Sequence, residues 1–236
     1  MEEKYMQTNF VNNVDDVLIS TDLVVVKERS LIDKKKVYMT VKRTTDVTLS
    51  SLALIVLMPL ILCIGLLIKL DSKGSVFYKQ KRIGKNGKYF MIYKFRTMVS
   101  DASNLKKYFS EEQMKEYREN YKVKEDPRIT KIGKILRKTS LDELPQLINI
   151  IKGDLAIIGP RPVVDNEIDK YGIYKDKFLS VTPGLTGNWA ANGRSCTSYD
   201  ERIKLELEYV DNISLKMDMQ VFFKTIITVL KKEGAV

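Results

Sequence analysis

The chain has 236 residues, enough for one or two domains and a substantial core. Forty Lys and Arg outweigh 30 Asp and Glu, so the net charge of +10 and a pI near 9.3 imply an anionic partner: nucleic acid, an acidic membrane surface or a phosphorylated substrate. Histidine is absent, which excludes imidazole-bound zinc and His-based triads and leaves acid, base and nucleophile roles mainly to Asp, Glu, Lys or Ser. The two cysteines, Cys63 in an apolar run and Cys196 in a polar stretch, suggest neither a disulfide framework nor a metal cluster, and they fit a reducing cytoplasm.

The first forty or so residues mix short apolar pieces such as Leu23-Val24-Val25-Val26 with acids, amides and the cluster Lys34-Lys35-Lys36. They lack the layout of a secretory signal and read as a cytosolic extension that admits a short strand. From Val47 to Leu70 there is no charge before Lys69, and Leu52 to Ile68 is wholly apolar apart from Gly and Pro. At about 1.5 Å per residue this run would cross a hydrocarbon core of about 30 Å. Pro59 near its middle removes a helix hydrogen bond and clashes with the carbonyl of Ile55, which predicts a break there. Both flanks are basic, with Lys42 and Arg43 before the run and Lys69, Lys73 and Lys79 after it. The positive-inside rule then puts both ends in the cytoplasm, so a re-entrant helix is expected in preference to a straight span.

Two β-rich segments, Val76 to Gln80 and Lys88 to Arg96, flank Asn86-Gly87 and predict a hairpin with a primed turn. Alternation places Lys94 and Arg96 on one side of the second strand, where they could line an anion site or form a solvated face. A surface helix is expected around Glu111 to Arg118. Beyond Asp126-Pro127-Arg128, the residues Ile129, Ile132, Ile135 and Leu136 recur beside Lys131, Lys134, Arg137 and Lys138. That is a basic amphipathic helix, which can pack on the core or lie at the headgroup interface.

Next comes Thr139-Ser140-Leu141-Asp142-Glu143-Leu144-Pro145, with two adjacent carboxylates at the expected start of a helix that Gly153 ends. Ser140 and Glu143 fit an S-x-x-E capping box, a structural reading of the same residues. Further on, Gly159-Pro160-Arg161-Pro162 holds an arginine in a stiff turn suited to bidentate phosphate binding. Thr182-Pro183-Gly184-Leu185-Thr186-Gly187 and Asn192-Gly193-Arg194-Ser195 are glycine turns that could present backbone donors and Arg194 to a ligand or be ordinary loops. Two helices, Tyr199 to Asn212 and Leu215 to Lys232, are expected to close the chain, and Trp189 reads equally as core, interfacial anchor or stacking platform. No Walker A or strand-linked G-x-G-x-x-G pattern occurs.

The ordered set KLDSKGSVFYKQKRIGKNGKYFMIYKFRTM, DPRITKIGKILRKTSLDELPQLINIIKGDL, GPRP and PGLTGNW…NGRS resembles the bacterial sugar transferases, monotopic phosphoglycosyl transferases, from about Val37 to the C-terminus. The resemblance implies transfer of a sugar-1-phosphate from a UDP-sugar to polyprenyl phosphate with release of UMP, Mg²⁺ as cofactor, and a place on the cytoplasmic face of the bacterial plasma membrane. It implies Asp142 as nucleophile, Glu143 as its partner in metal binding, and Arg137, Arg161, Lys94 and Arg96 in motifs that meet anionic substrate, to which the glycine-turn reading adds Arg194. Ala190, where the family often has Gln, and Leu155-Ala156, where it often has Met-Ser, depart from the pattern and bear on the sugar pocket.

The resulting expectation is an α+β, mostly helical protein with a re-entrant membrane helix broken at a proline, a β-hairpin and amphipathic interfacial helices. Its parts would be a cytosolic extension at 1–36, a membrane region at 37–75 and a catalytic domain at 76–236. Anionic lipids are expected partners, nucleic acid is not, and a homo-oligomer is left open. The competing reading is a membrane-tethered basic binding or scaffold protein, which would bind anions in a salt-sensitive way without producing UMP.

Overall fold

The structure, a computed structural model, describes the backbone of residues 2–120, 123–193 and 197–231, with side chains described at 35–118, 123–193, 197–228 and 231. Residues 1–44 form one compact unit and residues 45–236 a second.

Helix α1 spans Glu2–Asp71. Leu23 to Val26, which admitted a short strand, therefore lie in a helix. The expected break is also not observed as an interruption: Pro59 lies inside α1, which continues past it to Asp71. One proline removes one backbone donor, and the remaining i to i−4 bonds carry the helix through.

Within the second unit, α1 has two faces. Ser50, Ile64 and Ile68 are buried, with Leu54, Leu57 and Ile61 part-buried at the same three- and four-residue spacing. Leu52, Ile55, Val56, Leu62, Leu66 and Leu70 point outward and are exposed. The inner stripe is fastened by polar contacts near both ends: Asp46 Oδ1 accepts the Ile157 N–H at 3.2 Å and Asp71 Oδ2 accepts the Ile132 N–H at 3.0 Å.

Strands β1 (Phe77–Ile83) and β2 (Tyr89–Phe95) form the expected antiparallel hairpin, with Phe77 opposite Phe95 and Ile83 opposite Tyr89. Asn86 (φ 55°, ψ 29°) and Gly87 (φ 75°) both adopt the left-handed conformation, and the Lys88 N–H donates to the Lys85 carbonyl at 3.2 Å. This is the primed turn that Asn-Gly favours, because its twist matches that of the strands.

After the short helices α2 (Leu105–Tyr108) and α3 (Glu111–Asn120) comes α4 (Lys131–Thr139), capped by Thr130, whose side chain accepts the Gly133 N–H. Leu136 joins Ile64, Ile68 and Phe95 in one core cluster, with Ile132 against it, whereas Ile135 is exposed. A turn of 3-10 helix, Leu141–Glu143, leads to α5 (Gln146–Lys152), which ends at Gly153 in the left-handed conformation, φ 93°. Asn149, fully buried, bolts α5 to β2: its Nδ2 donates to the Met91 carbonyl at 2.7 Å and its Oδ1 accepts the Tyr93 N–H at 3.0 Å.

A second sheet was not foreseen. Strands β3 (Ala156–Ile158) and β4 (Gly184–Thr186) pair in parallel, with Ala156 opposite Gly184 and Ile158 opposite Thr186. Between them lie α6 (Asp165–Ile168), a 3-10 segment at Asp169–Tyr174 and α7 (Lys175–Leu179). The short α8 (Asn188–Ala191) and the two expected closing helices, α9 (Tyr199–Asp211) and α10 (Leu215–Leu230), follow. The Tyr209 hydroxyl, fully buried, ties α9 to both neighbours, at 3.1 Å from the Ile158 carbonyl and 2.7 Å from Asp218 Oδ1.

Helix α10 is apolar on its outer face. Leu215, Met219, Phe222, Phe223, Ile226 and Ile227 are exposed, while Asp218, Val221 and Thr228 are buried. The outward residues recur at helical spacing and form one stripe.

Candidate active site

The site is assembled where β2, the turn after α4 and the start of α5 meet. Gly133 sits so close to the end of the hairpin that a Cβ there would lie 2.1 Å from the Thr97 carbonyl oxygen. This contact brings α4 against Thr97, whose hydroxyl accepts from Arg137 Nε at 2.9 Å. Ser140 then adopts φ 57° and ψ 15°, a left-handed conformation uncommon for a residue with a side chain. The chain reverses there and aims Leu141-Asp142-Glu143 back toward β2.

The expected capping box is not formed. Ser140 makes no side-chain cap bond, Asp142 and Glu143 lie in a separate 3-10 turn, and α5 begins only at Gln146. Ser140 closes α4 instead, its N–H donating to the Arg137 carbonyl at 3.2 Å.

Lys94, on β2, reaches this turn. Its Nζ is 2.5 Å from Glu143 Oε1 and 3.9 Å from Asp142 Oδ2. The Asp142 side chain is 13% exposed. Burial pushes its carboxyl above the usual aspartate range; Lys94 pulls it back, the adjacent Glu143 raises it further, and Arg137 lowers it. The result is a shielded carboxyl group under the influence of two cations, one of which, Lys94, is paired with the neighbouring acid.

From here an open cleft of about 430 Å³ extends along β2 toward the second sheet. Lys94, Glu143 and Gln146 line one end, and Arg161, Thr186, Trp189 and Glu206 the other. Arg161 is exposed, with its guanidinium 5.5 Å from the centre of the Trp189 ring. Its turn is rigidly held: Arg82 Nη1 donates to the Pro162 carbonyl at 3.1 Å, and Glu206 Oε1 accepts the Arg161 N–H at 3.1 Å. Trp189 is half-buried and lines the cleft, with Nε1 donating to Thr197 Oγ1 at 2.7 Å.

Lys94, Glu143 and Arg161 thus line one cleft, with Asp142 3.9 Å from Lys94 and Arg137 acting on Asp142 through its charge. Arg96 takes no part. Its side chain is buried and donates to the Lys73 carbonyl at 2.6 Å and to the Ser72 carbonyl and hydroxyl at 2.8 and 3.0 Å. Arg96 follows the last strand residue, and the local path turns it back onto the end of α1, where Gly74 makes room: a Cβ there would lie 2.0 Å from Arg96 Nη1. Arg194 lies outside the described residues.

Gly184, Leu185, Thr186 and Gly187 line the cleft, and the backbone of the Pro183-Gly184-Leu185-Thr186-Gly187 stretch is partly engaged within the protein. The Ala156 N–H donates to the Pro183 carbonyl at 2.8 Å, the Gly184 N–H to the Pro160 carbonyl at 2.8 Å and the Gly159 N–H to the Thr186 carbonyl at 2.9 Å. These glycines serve close backbone approach: a Cβ on Gly187 would lie 2.2 Å from the Gly159 carbonyl oxygen.

Two residues of the cleft escaped sequence reasoning. Arg82 was hidden among the basic residues of the hairpin. Glu206 was one acid among several in α9, though Arg202, Glu206 and Tyr209 share a helical face and are all buried, a charged stripe at core spacing.

The profile of the bacterial sugar transferase family matches residues 37–232. The chain belongs to this family. It is 44% identical over 197 residues to the exopolysaccharide production protein ExoY of Sinorhizobium fredii, covering 82% of this chain and 87% of that protein. It is 41% identical over 197 residues to the undecaprenyl-phosphate galactose phosphotransferase of Salmonella typhimurium, covering 82% of this chain and 41% of that one. With the UDP-N-acetylgalactosamine-undecaprenyl-phosphate N-acetylgalactosaminephosphotransferase of Aeromonas hydrophila it shares 36% over 207 residues, 84% of this chain and 46% of the relative. The chain thus spans most of the first relative and less than half of the two longer ones. Membership makes it an enzyme of the phosphoglycosyl transferase class.

Proposed function

We propose that this transferase moves a sugar-1-phosphate from a UDP-sugar to polyprenyl (undecaprenyl) phosphate at the cytoplasmic face of the bacterial plasma membrane, as an early step of exopolysaccharide or capsule assembly. The observation that carries this reading is the shielded Asp142 carboxylate, 3.9 Å from Lys94, which with Glu143 and Arg161 lines one cleft. The relatives named for UDP-galactose, undecaprenyl phosphate and exopolysaccharide support the choice of donor, acceptor and pathway.

An Asp142 oxygen attacks the sugar-linked phosphorus, and the bond from that phosphorus to the bridging oxygen breaks, with UMP leaving on the electron pair. A phosphate oxygen of the polyprenyl acceptor then attacks the same phosphorus. The acyl-phosphate bond breaks, Asp142 returns to its carboxylate, and polyprenyl diphosphate sugar is formed. Covalent catalysis divides one displacement between two anions into two easier ones. Arg161 holds donor phosphate oxygens, and Lys94 and Arg137 offset the repulsion between nucleophile and diphosphate.

Asp142 and Glu143 are adjacent hard oxygen donors and fit Mg²⁺, which is commonly held by one or two carboxylates with substrate phosphates and water completing its shell. The ion would neutralise phosphate charge. Glu143 would release Lys94 on taking up this role.

The membrane seat follows from two apolar faces. The inner stripe of α1 contacts the catalytic domain from Asp46 to Asp71, so a helix crossing the bilayer on its own would have to leave the domain behind. Embedding from one side leaves these contacts intact and covers the outer residues, which supports the re-entrant reading. The outer stripe of α10 and the exposed Ile135, flanked by exposed Lys131, Lys134 and Lys138, suit the boundary between acyl chains and anionic headgroups.

The deciding experiment is UMP release from a panel of UDP-sugars with undecaprenyl phosphate in lipid nanodiscs. Wild type is expected to release UMP, Asp142→Asn to release none, and wild type with donor but no acceptor to gain the mass of one phosphosugar on Asp142. Full UMP release by Asp142→Asn would overturn the mechanism, and no release with any donor would favour the binding or scaffold reading. Cysteines placed near residues 40 and 75, in a background lacking Cys63 and Cys196, should label from the same side; labelling from opposite sides would indicate a simple span.

A further inference from the structure

We propose that Glu206 is a positioning residue of the donor cleft, holding the Arg161 turn by its backbone and setting, through its own charge, how strongly Arg161 attracts donor phosphate. The inference rests on the reading of Arg161 as a phosphate ligand. Glu206 is fully buried beneath the cleft, with Oε1 accepting the Arg161 N–H at 3.1 Å. Its Oε2 has no hydrogen-bond partner and faces Gly187, where a Cβ would stand 3.7 Å away. A buried carboxyl group with one oxygen unserved is costly as an anion and far less so when protonated.

The groups around it agree. Arg161 on the Gly159–Pro162 turn, Arg202 on α9, Tyr171 on the 3-10 segment and Tyr199 at the start of α9 all interact with it electrostatically. Arg202 does not neutralise it through a hydrogen bond: that guanidinium lies 4.8 Å from the Trp189 ring, its Nη1 is 3.5 Å from Glu167 Oε1, and its Nε and Nη2 are buried without partners. Arg82 is likewise turned to Glu167, at 3.5 Å. Burial, opposed by the Arg161 N–H and the charges of Arg202 and Arg161, pushes the Glu206 carboxyl up to about 7.

The charge on Glu206 therefore changes across the neutral range. Protonated, it leaves the positive field of Arg161 to the donor; ionised, it places a negative charge behind Arg161 that competes with phosphate. The two phosphates of a UDP-sugar are each esterified on both sides and keep their charge over this range, so the change belongs to the protein.

The test is the donor KM between pH 6 and 8, with acceptor saturating, for the UDP-sugar turned over fastest. For wild type, KM is expected to rise by about three- to thirtyfold across the range, the scale of one added charge at an intermediate effective dielectric. Glu206→Gln should hold the low-pH KM at both ends. Glu206→Asp should keep a pH phase with a displaced midpoint. A pH profile for Glu206→Gln parallel to wild type, or an Asp variant with the wild-type midpoint, would overturn the proposal. Absence of UMP release by wild type would instead overturn the proposed function, so the two failures are distinct.

Discussion

Lys94 Nζ lies 2.5 Å from Glu143 Oε1, joining β2 to the turn that carries Asp142, the proposed nucleophile, across a separation of 49 residues. The contact holds the turn in place and keeps a cation 3.9 Å from Asp142 Oδ2. A charge-assisted hydrogen bond of this kind is worth about 1.5–3 kcal/mol. Lys94→Met is expected to lower UMP release by about 10- to 100-fold while circular dichroism shows a folded protein. Activity within twofold of wild type would remove Lys94 from the site.

Arg96 is expected to behave as a structural residue. Its guanidinium serves the Ser72 and Lys73 carbonyls, so Arg96→Lys leaves buried acceptors poorly matched and should destabilise by about 1–3 kcal/mol. The donor KM of the folded variant should match wild type. A raised KM with an unchanged melting temperature would return Arg96 to the substrate site.

Ser140 tests the reversal that aims Asp142. Its positive φ is free of strain for glycine and costly for a β-branched residue. Ser140→Gly should keep its activity and melting temperature. Ser140→Val should lose about 1–3 kcal/mol of stability and a larger share of UMP release, since Asp142 is two residues away. Equal behaviour of the two variants would show that the conformation is unimportant.

Glu206 should also mark the stability curve. Its folded carboxyl is raised to about 7, above the ordinary glutamate value of 4.5, so between those values the folded state binds more protons than the unfolded one. Stability contributed by this group is therefore present at low pH and lost as pH rises toward 7. Glu206→Gln removes that loss. Its melting temperature, relative to wild type, should be higher at pH 8 than at pH 5, and a difference independent of pH would contradict the assignment.

Local signals were readable wherever short-range chemistry decides conformation. Asn86-Gly87 turns the hairpin, Gly153 ends α5, and the apolar periodicity of Ile132 and Leu136 faces the core. Segments governed by distant partners read poorly. Ala156–Ile158 is too short to declare itself a strand, and becomes one because Gly184–Thr186 lies beside it. Ser140 and Glu143 have the spacing of a capping box, but Lys94 and the left-handed Ser140 hold that stretch in another geometry.

The sequence alone determined the membrane-seeking run, the absence of histidine chemistry and the order of motifs from Lys69 to Arg194, because composition and local pattern suffice for each. Only the tertiary structure decided which basic residues serve the site. Lys94 and Arg96 lie two residues apart with the same alternation, yet one meets Glu143 and the other is spent on the end of α1. A side chain's role depends on the unsatisfied groups within its reach, and chain folding brings those together from positions far apart in sequence.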